Sequence, residues 1–353
     1  MEVSALYLPQ FHRIPENDEW WGEGFTEWTN VRKALPLFHG HKQPVIPGQL
    51  GYYSLLSDAT RVNQAELAKK YGVTSFCYWH YWFGNGKMLL ERPLEEVLKT
   101  GEPDFPFYVG WANSTWAGHW YGESDDVLIE QKYPGEADDK NHFDYLLQFF
   151  NDSRYLRIDG KPVLLIHNPK GIPDKKKFIE AWQKFANDAG FPGLYIIAWI
   201  QGKSGFVQYR KHCDDGFSAG VYVNSPVKRN LLTFLRGTLR NCSLSFGPLR
   251  YKYAGNLPKP FRKIRGTVHQ SVQPNWDNTP RSGRRGMVIT DTDPEKFERV
   301  LSAAIRIEKN NSNPFLLIKS WNEWAEGNYI EPDQTYGEGW LAAIKRAKDT
   351  RHE

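Results

Sequence analysis

Cysteine is scarce in this sequence. The 353 residues include three cysteines, Cys77, Cys213 and Cys242, and none of them lies in a CxxC or zinc-type spacing. An odd and sparse count argues against a disulfide framework and is typical of a reducing compartment. Paired histidine motifs such as HExxH are absent as well. The sequence therefore predicts neither a metal site nor a cofactor.

Long apolar runs are also missing. No stretch approaches the roughly 20 apolar residues that a membrane-spanning helix needs. The first ten residues, MEVSALYLPQ, lack the basic and apolar regions of a signal peptide. We therefore expect a cytoplasmic protein.

Motifs of several common enzyme classes do not occur. No strand-like run is followed by GxGxxG, and neither a GxSxG elbow nor a P-loop is found. The D-x-D triplet in DTDPEKF (291–297) resembles the metal-holding triplet of many nucleotide-sugar transferases. However, Asp293 is followed by Pro294, which is the usual start of a helix. We interpret Asp293 as a helix N-cap.

Acidic residues are absent from one segment, 227–266, which contains ten Lys and Arg. Subtracting these ten from 45 leaves 35 basic residues against 41 Asp and Glu, a balance of −6 for the rest. We call 227–266 the basic segment. It is too long for an ordinary βα loop, and LLTFLRGTLR within it predicts a short amphipathic helix. One interpretation is a lid, or a patch that contacts an anionic membrane or a lipid-linked substrate. The other is a solvated surface loop without such a partner.

Aromatic residues are abundant at 15%, with 14 Trp. Strand-like runs alternate with helix-like stretches along the whole chain. The predicted strands are 3–8, 73–80, 106–112, 162–167, 194–199, 215–220, 267–273 and 314–321. The predicted helices are 59–72, 89–101, 140–150, 174–190, 293–310 and 337–349. This alternation predicts a single (β/α)8 barrel over residues 1–353 with the basic segment as an insertion, and a doubly wound sheet is the alternative.

Polar and aromatic residues collect at the predicted strand ends, where a barrel of this kind has its active site. Indole faces stack on sugar rings and amides bind hydroxyls, so this rim favours a carbohydrate ligand. The candidates are Tyr7, Gln10, His12, Trp79, His80, Trp82, Trp111, Asn113, His167, Asn168, Trp199, Asn275, Trp276, Asp277, Trp321 and Asn322. His80 is equally well explained as a core histidine. Glu27, Trp28 and Asn30 in GFTEWTNVRKA are further candidates, although loop packing explains them as well.

Two glutamates stand out in SWNEWAEG (320–327), followed by Glu331 in NYIEPD. Glycosidic bonds are broken by two carboxyl groups, and Glu323 and Glu326 follow the last predicted strand together. Neighbouring tryptophans would raise the pKa of one carboxyl group by desolvation. Acidic residues at a helix N-terminus are the alternative. The strand-end position favours catalysis.

Six motifs in order resemble one family. LYLPQFH, GFTEWTNVRKA, SFCYWHYWF, GWANSTW, IDGKPVLLIHNP and SWNEWAEGNYIEPD are similar to the WbsX-type family of bacterial surface-polysaccharide biosynthesis proteins. That family is often labelled glycosyltransferase and is similar to the endo-α-mannosidases of glycoside hydrolase family 99. The resemblance covers nearly the whole chain except the basic segment.

The resemblance implies a (β/α)8 barrel and a retaining, metal-free mechanism. It implies that Glu323 is the base that deprotonates the sugar 2-hydroxyl, so that O2 attacks C1 and forms a 1,2-anhydro sugar. Glu326 would be the acid, and then the base that activates the acceptor. WDNTPR (276–281) is similar to a substrate-binding loop, with Trp276 where a tyrosine is usual.

We therefore expect an enzyme that acts on α-linked, mannose-like oligosaccharides or polysaccharides, with no nucleic acid partner. Hydrolysis and transfer to a sugar hydroxyl differ only in the acceptor, and the sequence leaves both open. The alternatives are a nucleotide-sugar-dependent glycosyltransferase and a non-catalytic glycan-binding barrel. The expected location is the cytoplasm, with the inner membrane face as an option for the basic segment.

Overall fold

The chain folds as a closed barrel of eight parallel strands. A computed structural model describes residues 1–118, 126–201, 215–223, 227–228, 247–253, 267–312 and 315–350. The barrel strands are β1 (Glu2–Tyr7), β2 (Ser75–Trp82), β3 (Phe107–Trp111), β4 (Lys161–Ile166), β5 (Tyr195–Gln201), β6 (Ala219–Val223), β7 (Thr267–Val272) and β8 (Phe315–Ile318). Because β1 pairs with both β2 and β8, the sheet closes on itself. The predicted (β/α)8 barrel is confirmed.

Helices occupy the connections between these strands. They are α1 (Pro15–Trp21), α2 (Glu27–Lys33), α3 (Asp58–Tyr71), α4 (Arg92–Thr100), α5 (Glu136–Phe150), α6 (Lys175–Asp188), α7 (Thr279–Ser282), α8 (Pro294–Asn310) and α9 (Gly339–Asp349). The six helices that the sequence predicts correspond to α3, α4, α5, α6, α8 and α9. The short helices α1, α2 and α7 were not predicted, and they lie in the loops after β1 and β7.

Local sequence signals fix several helix ends. Ser57 caps α3 by accepting a hydrogen bond from the Thr60 amide, and Gly72 ends the helix in the left-handed region. Asp293 caps α8, since its carboxylate accepts from the Lys296 amide at 2.7 Å and Pro294 is the first helical residue. The side chain of Asp293 therefore has the capping role that the sequence indicated.

The sixth strand differs most from its prediction. The sequence placed it at 215–220, whereas β6 begins at Ala219 and runs to Val223. Gly216 has φ +97, a left-handed conformation that does not fit a strand. Ala219 is the first residue in register with both neighbours, facing Ile197 of β5 and Thr267 of β7. The turn residues of DGFSAG precede the strand instead of forming it.

Several short strands lie outside the eight-stranded barrel. They are Met88–Leu89, Trp116–Ala117, Val127–Ile129, Arg157–Ile158, Val227–Lys228, Leu249–Tyr253, Met287–Thr290, Asn322–Glu323 and Asn328–Tyr329. Two of them, Val227–Lys228 and Leu249–Tyr253, belong to the basic segment and form a small sheet with Met287–Thr290. The amphipathic helix predicted at 231–240 lies outside the described residues. Among the helices that are described, none is long and apolar enough to span a bilayer.

Candidate active site

The segment after β8 is tied to the end of β1. The Trp321 amide donates to the Leu6 carbonyl at 2.7 Å. The Asn322 side chain bonds both backbone groups of Leu8, accepting from its amide at 2.7 Å and donating to its carbonyl at 3.0 Å. Strand Asn322–Glu323 then pairs with Asn328–Tyr329 around a turn of 3₁₀ helix, Trp324–Glu326. This hairpin holds both glutamates of SWNEWAEG at the carboxyl-terminal mouth of the barrel.

Three carboxylates meet at one guanidinium, that of Arg281 on α7. Arg281 donates from Nη2 to Glu323 Oε1 at 2.7 Å and from Nη1 to Glu326 Oε1 at 2.9 Å. Its Nε donates to Glu27 Oε2, at the start of α2, at 3.1 Å. The side chains of Glu27 and Glu323 are 0% and 7% exposed. The structure thus adds two groups to the predicted pair of glutamates: the buried carboxylate of Glu27 and the guanidinium of Arg281 that all three share.

Glu323 has an unusual protonation equilibrium. The pKa of Glu323 is raised to about 8: burial is the largest cause and the charges of Glu326 and Glu27 also raise it, while Arg281 and Lys319 lower it. The protonated form of Glu323 is therefore well populated around neutral pH. A carboxyl group that titrates close to physiological pH is suited to proton transfer.

An aromatic wall lies beside the carboxylates. Ring centroids of Trp79, His167 and Trp199 are 5.2 to 5.9 Å apart. Lys319, which directly follows β8, places its ammonium 6.0 Å from the Trp199 ring and 4.4 Å from the Trp276 ring. We use "aromatic wall" for Trp79, His167, Trp199 and Trp276. The Lys319 ammonium is also 3.9 Å from Glu326 Oε2, so it connects the wall to the carboxylates.

Glu331 lies beneath the site, where it accepts four hydrogen bonds. The indoles of Trp321 and Trp324 donate at 2.8 and 2.6 Å, and the other two donors are Gln64 Nε2 and Tyr53 Oη, at 2.6 and 2.8 Å. Burial raises the pKa of Glu331 to about 7, although these hydrogen bonds favour its ionised form. Both indoles of SWNEWAEG therefore serve this buried acceptor, and Trp324 also stacks on Tyr329 with centroids 3.8 Å apart.

Asp277 fixes the loop that carries Arg281. Its Oδ1 accepts from the amide and hydroxyl of Thr279, at the start of α7, and its Oδ2 accepts from Gln43 at 2.7 Å. His41 Nδ1 accepts from the Leu37 amide, so the proton of the neutral ring is on Nε2, which donates to Asp277 Oδ2 at 2.8 Å. Burial alone would raise the pKa of Asp277, but the hydrogen bonds from His41, Gln43 and Thr279 lower it.

Comparison with known proteins identifies the family. The model of the family described as Glycosyltransferase WbsX matches residues 3–344. This chain belongs to the WbsX family. Two proteins named WxcX from Xanthomonas campestris pv. campestris, strains ATCC 33913 and B100, are 35% and 34% identical over 348 residues, which are 97% of this chain and 49% of each relative. The WbsX-type chain thus spans about half the length of the curated relatives it matches.

Solved structures share the fold of this WbsX chain. A glycoside hydrolase-like protein has a TM-score of 0.64 at 15% identity, over 99% of this chain and 94% of the other. The GH99 endo-alpha-mannosidase from Bacteroides thetaiotaomicron, in complex with BIS-TRIS-propane, has a TM-score of 0.63 at 14% identity, over 99% and 96%. The predicted relationship to the WbsX family, with a barrel like that of GH99, is confirmed.

Several predicted contact residues of the WbsX chain do come together. Glu27, Glu323 and Glu326 meet at Arg281, and the aromatic wall stands beside them. Gln10 lies near this group. Its side-chain Nε2 donates to Tyr81 Oη, and its backbone carbonyl accepts from the backbone amide of Glu27. His12 is buried, with Nδ1 bonded to the Pro9 carbonyl, and Nε2 has no hydrogen-bond partner in the described part of the chain.

Other candidates are packed against protein groups, which leaves little of their surface for a ligand. His80 and Trp82 turn towards α5, because alternate residues of β2 face opposite sides. His80 Nε2 lies 3.0 Å from His142 Nε2, and Trp82 donates to Asp138. Eight further candidates are also buried and hydrogen-bonded to other protein groups: Tyr7, Trp28, Trp111, Asn113, Asp277, Trp321, Asn322 and Glu331. We interpret these residues as supports of the site.

Sequence reasoning missed Arg281, Lys319, His41 and Gln43. One signal for Arg281 existed, because two or three buried acidic groups require a compensating cation, and WDNTPR supplies one. Lys319 directly precedes SWNEWAEG in the sequence and was within reach of the same argument. His41 and Gln43 lie more than 230 positions from Asp277, and no local pattern links them.

Proposed function

We propose that this chain is a retaining carbohydrate-active enzyme that acts on α-linked, mannose-like glycans in bacterial surface-polysaccharide or O-antigen metabolism. The observation that carries the proposal is the convergence of Glu323 and Glu326 on Arg281 at the mouth of the barrel. Two carboxyl groups beside aromatic faces suit cleavage or transfer at a glycosidic bond. Membership of the WbsX family supports a substrate of this class.

In the first step, Glu323 removes the proton of the sugar 2-hydroxyl while O2 attacks C1. The bond from C1 to the leaving oxygen breaks, and that oxygen takes a proton from Glu326. The product is a 1,2-anhydro sugar. Glu323 must therefore release its own proton before reaction, and its raised pKa then makes it a stronger base than an ordinary carboxylate.

In the second step, Glu326 removes a proton from the acceptor, whose oxygen attacks C1. The C1–O2 bond breaks, and O2 recovers its proton from Glu323. Two inversions at C1 retain the configuration. Arg281 contacts both glutamates and Glu27, so it holds them in place and balances their charge while the proton moves.

The acceptor distinguishes two enzyme classes. Water gives hydrolysis, whereas a sugar hydroxyl gives transglycosylation. A nucleotide-sugar-dependent transferase is a second candidate, since the family description names a glycosyltransferase. That candidate requires a place for phosphate groups, and the basic segment is the part of the sequence with the necessary charge.

Activity measurements on variants test these proposals. The protein is incubated with α-mannosyl oligosaccharides, with and without nucleotide sugars, and compared with Glu323→Gln and Glu326→Gln. Glu180→Gln is the matched control, because this glutamate is 66% exposed on α6. We expect product without a nucleotide sugar, and its loss in the first two variants only.

Each alternative outcome has a distinct meaning. Strict dependence on a nucleotide donor would replace the leading proposal with the second candidate. Unchanged turnover in both active-site variants would remove the glutamates from the mechanism. Glycan binding without turnover, retained in both variants, would indicate a non-catalytic binding barrel.

A further inference from the structure

Among the described residues, none accepts a hydrogen bond from the Lys319 ammonium. Its backbone is fixed, because its amide donates to the Val272 carbonyl at 2.9 Å. Its side chain is 18% exposed, yet within the described residues Nζ has no hydrogen-bond acceptor, and the nearest carboxylate oxygen, on Glu326, is 3.9 Å away. The three N–H donors of this largely covered cation therefore have no hydrogen-bond acceptor in the described part of the chain, and their ionic contact is the longer one to Glu326.

The neighbouring aromatic wall also contains buried ring nitrogens without a hydrogen-bond partner among the described residues. Among the described residues, Trp199 Nε1, Trp276 Nε1 and His167 Nδ1 are buried and have no hydrogen-bond partner. The two indole nitrogens can only donate. Burial lowers the pKa of His167 to about 4, with a further contribution from Lys319, so the ring is neutral. The wall and Lys319 thus combine a positive charge, 3.9 Å from Glu326 Oε2, with donors that have no acceptor among the described residues.

Such a surface selects its ligand by chemistry. A sugar hydroxyl donates as well as accepts, and it carries no charge to balance an ammonium. A carboxylate or a phosphate monoester has acceptor oxygens and a negative charge, so it satisfies several donors and Lys319 together. The Lys319 ammonium, 3.9 Å from Glu326 Oε2, would then lie between the two negative charges and reduce the repulsion between the ligand and Glu326.

We propose that Lys319 and the aromatic wall form a subsite for an anionic group on the substrate glycan, either the carboxylate of a uronic acid or a phosphate ester. The inference rests on the proposed function, because it gives the substrate a charge that a plain mannose-like glycan lacks. Lys319 is the residue that determines specificity, and Trp276 provides the face on which its ammonium rests.

Binding calorimetry with three probes tests the subsite without requiring turnover. The probes are methyl α-mannoside, its C6 carboxylate analogue and mannose 6-phosphate. We expect at least one anionic probe to bind about tenfold or more tightly than the neutral one, as one charge-assisted hydrogen bond implies. Whichever anion binds more tightly identifies the source of the charge. Raising the salt concentration should reduce the preference.

Three variants assign the preference to Lys319. Lys319→Met should bind the anionic and neutral probes equally, whereas Lys319→Arg should keep the preference. Lys87→Met is the control, since Lys87 is a half-exposed surface cation paired with Glu16. Thermal unfolding of each variant shows whether it is folded.

Equal affinities for all three probes in the wild type, or no measurable binding at millimolar concentration, would overturn the subsite. A preference that persists in folded Lys319→Met would do the same. These results leave the roles of Glu323 and Glu326 untouched, because turnover tests those roles and affinity tests this one.

Discussion

Glu323 and Glu331 are buried carboxyl groups eight positions apart, in very different surroundings. Glu331 accepts four hydrogen bonds from neutral donors, so its position and its acceptor role are fixed. Glu323 instead shares Arg281 with Glu326 and Glu27. Of the two, Glu323 is the one to which we assign proton exchange with a sugar hydroxyl. Burial alone therefore does not mark a reactive group, because the hydrogen-bond partners differ.

The raised pKa of Glu323 predicts the pH profile of the proposed reaction. If Glu323 is the base, it reacts in its ionised form while Glu326 reacts in its protonated form, so kcat/KM should follow a bell-shaped dependence on pH with one limb near pH 8. A pH–rate profile of the wild type measures this. A profile without a limb between about pH 7 and 9 would contradict the raised pKa of Glu323 as a group essential to the reaction.

Glu331→Gln should destabilise the fold. Each carboxylate oxygen accepts one indole N–H, so the amide NH2 of glutamine must face Trp321 or Trp324, neither of which can become an acceptor. We expect a loss of roughly 2 kcal/mol or more in the free energy of unfolding, from urea denaturation at pH 8. Glu180→Gln, on the exposed face of α6, should change it little. Equal stability of the two variants would contradict the structural role of Glu331.

At the scale of elements, the hairpin Asn322–Tyr329 and the loop of α7 depend on one close contact. The Asp277 amide donates to the Glu326 carbonyl at 2.7 Å. Gly327, at φ +67, makes this approach feasible, because a Cβ there would lie 2.8 Å from the Asp277 nitrogen. The contact sets the position of Glu326 relative to Arg281.

Gly327→Ala and Gly337→Ala form a matched pair that tests this contact. Both glycines have a left-handed φ, but a Cβ at Gly337 would meet nothing within 4 Å. Gly337→Ala should lose only about 1–2 kcal/mol, from its backbone conformation. Gly327→Ala should lose roughly 1–3 kcal/mol more and should also lower kcat, because the hairpin must move away from Asp277. Denaturation curves and turnover that match between the variants would refute the argument.

The sequence was informative about elements and less so about the directions of side chains. Alternating strand and helix patterns located the barrel, and the strand ends located the mouth where Glu323 and Glu326 lie. However, Trp79 and His80 are adjacent in sequence and face opposite sides of β2, so a list of strand-end residues mixed wall residues with core residues. Arg281 was hidden for a different reason, because its importance comes from three carboxylates supplied by two distant segments.

At the scale of the whole molecule, charge is divided unevenly. The basic segment contains ten Lys and Arg without an acidic residue, while the remainder has a balance of −6. Clustered positive charge attracts anionic lipid or lipid-linked glycan within about one Debye length, roughly 10 Å at 0.1 M salt. The curated relatives that this chain matches are about twice as long as the chain itself.

The basic segment predicts salt-sensitive binding to anionic vesicles. The protein should sediment with phosphatidylserine-containing liposomes at low salt and be released at high salt. Replacing the arginines at 236, 240, 262 and 265 with glutamine should abolish this binding. The matched control replaces the surface lysines Lys69, Lys87, Lys140 and Lys184 with glutamine and should bind normally. Binding that does not change with salt concentration would exclude the basic segment as a membrane contact. Equal binding by the four-arginine variant and the four-lysine control would exclude it as well.

The tie between Asn322 and Leu8 has a consequence for the order of events during synthesis. These residues are 314 positions apart, yet their hydrogen bonds bring the glutamate hairpin onto the end of β1. On the ribosome, the first seven strands are complete before the hairpin emerges, and until then β1 has an open edge. Closing the barrel therefore requires contacts of long sequence separation, which form slowly because so much chain lies between the two partners. We expect the proposed active site to be assembled only after that closure.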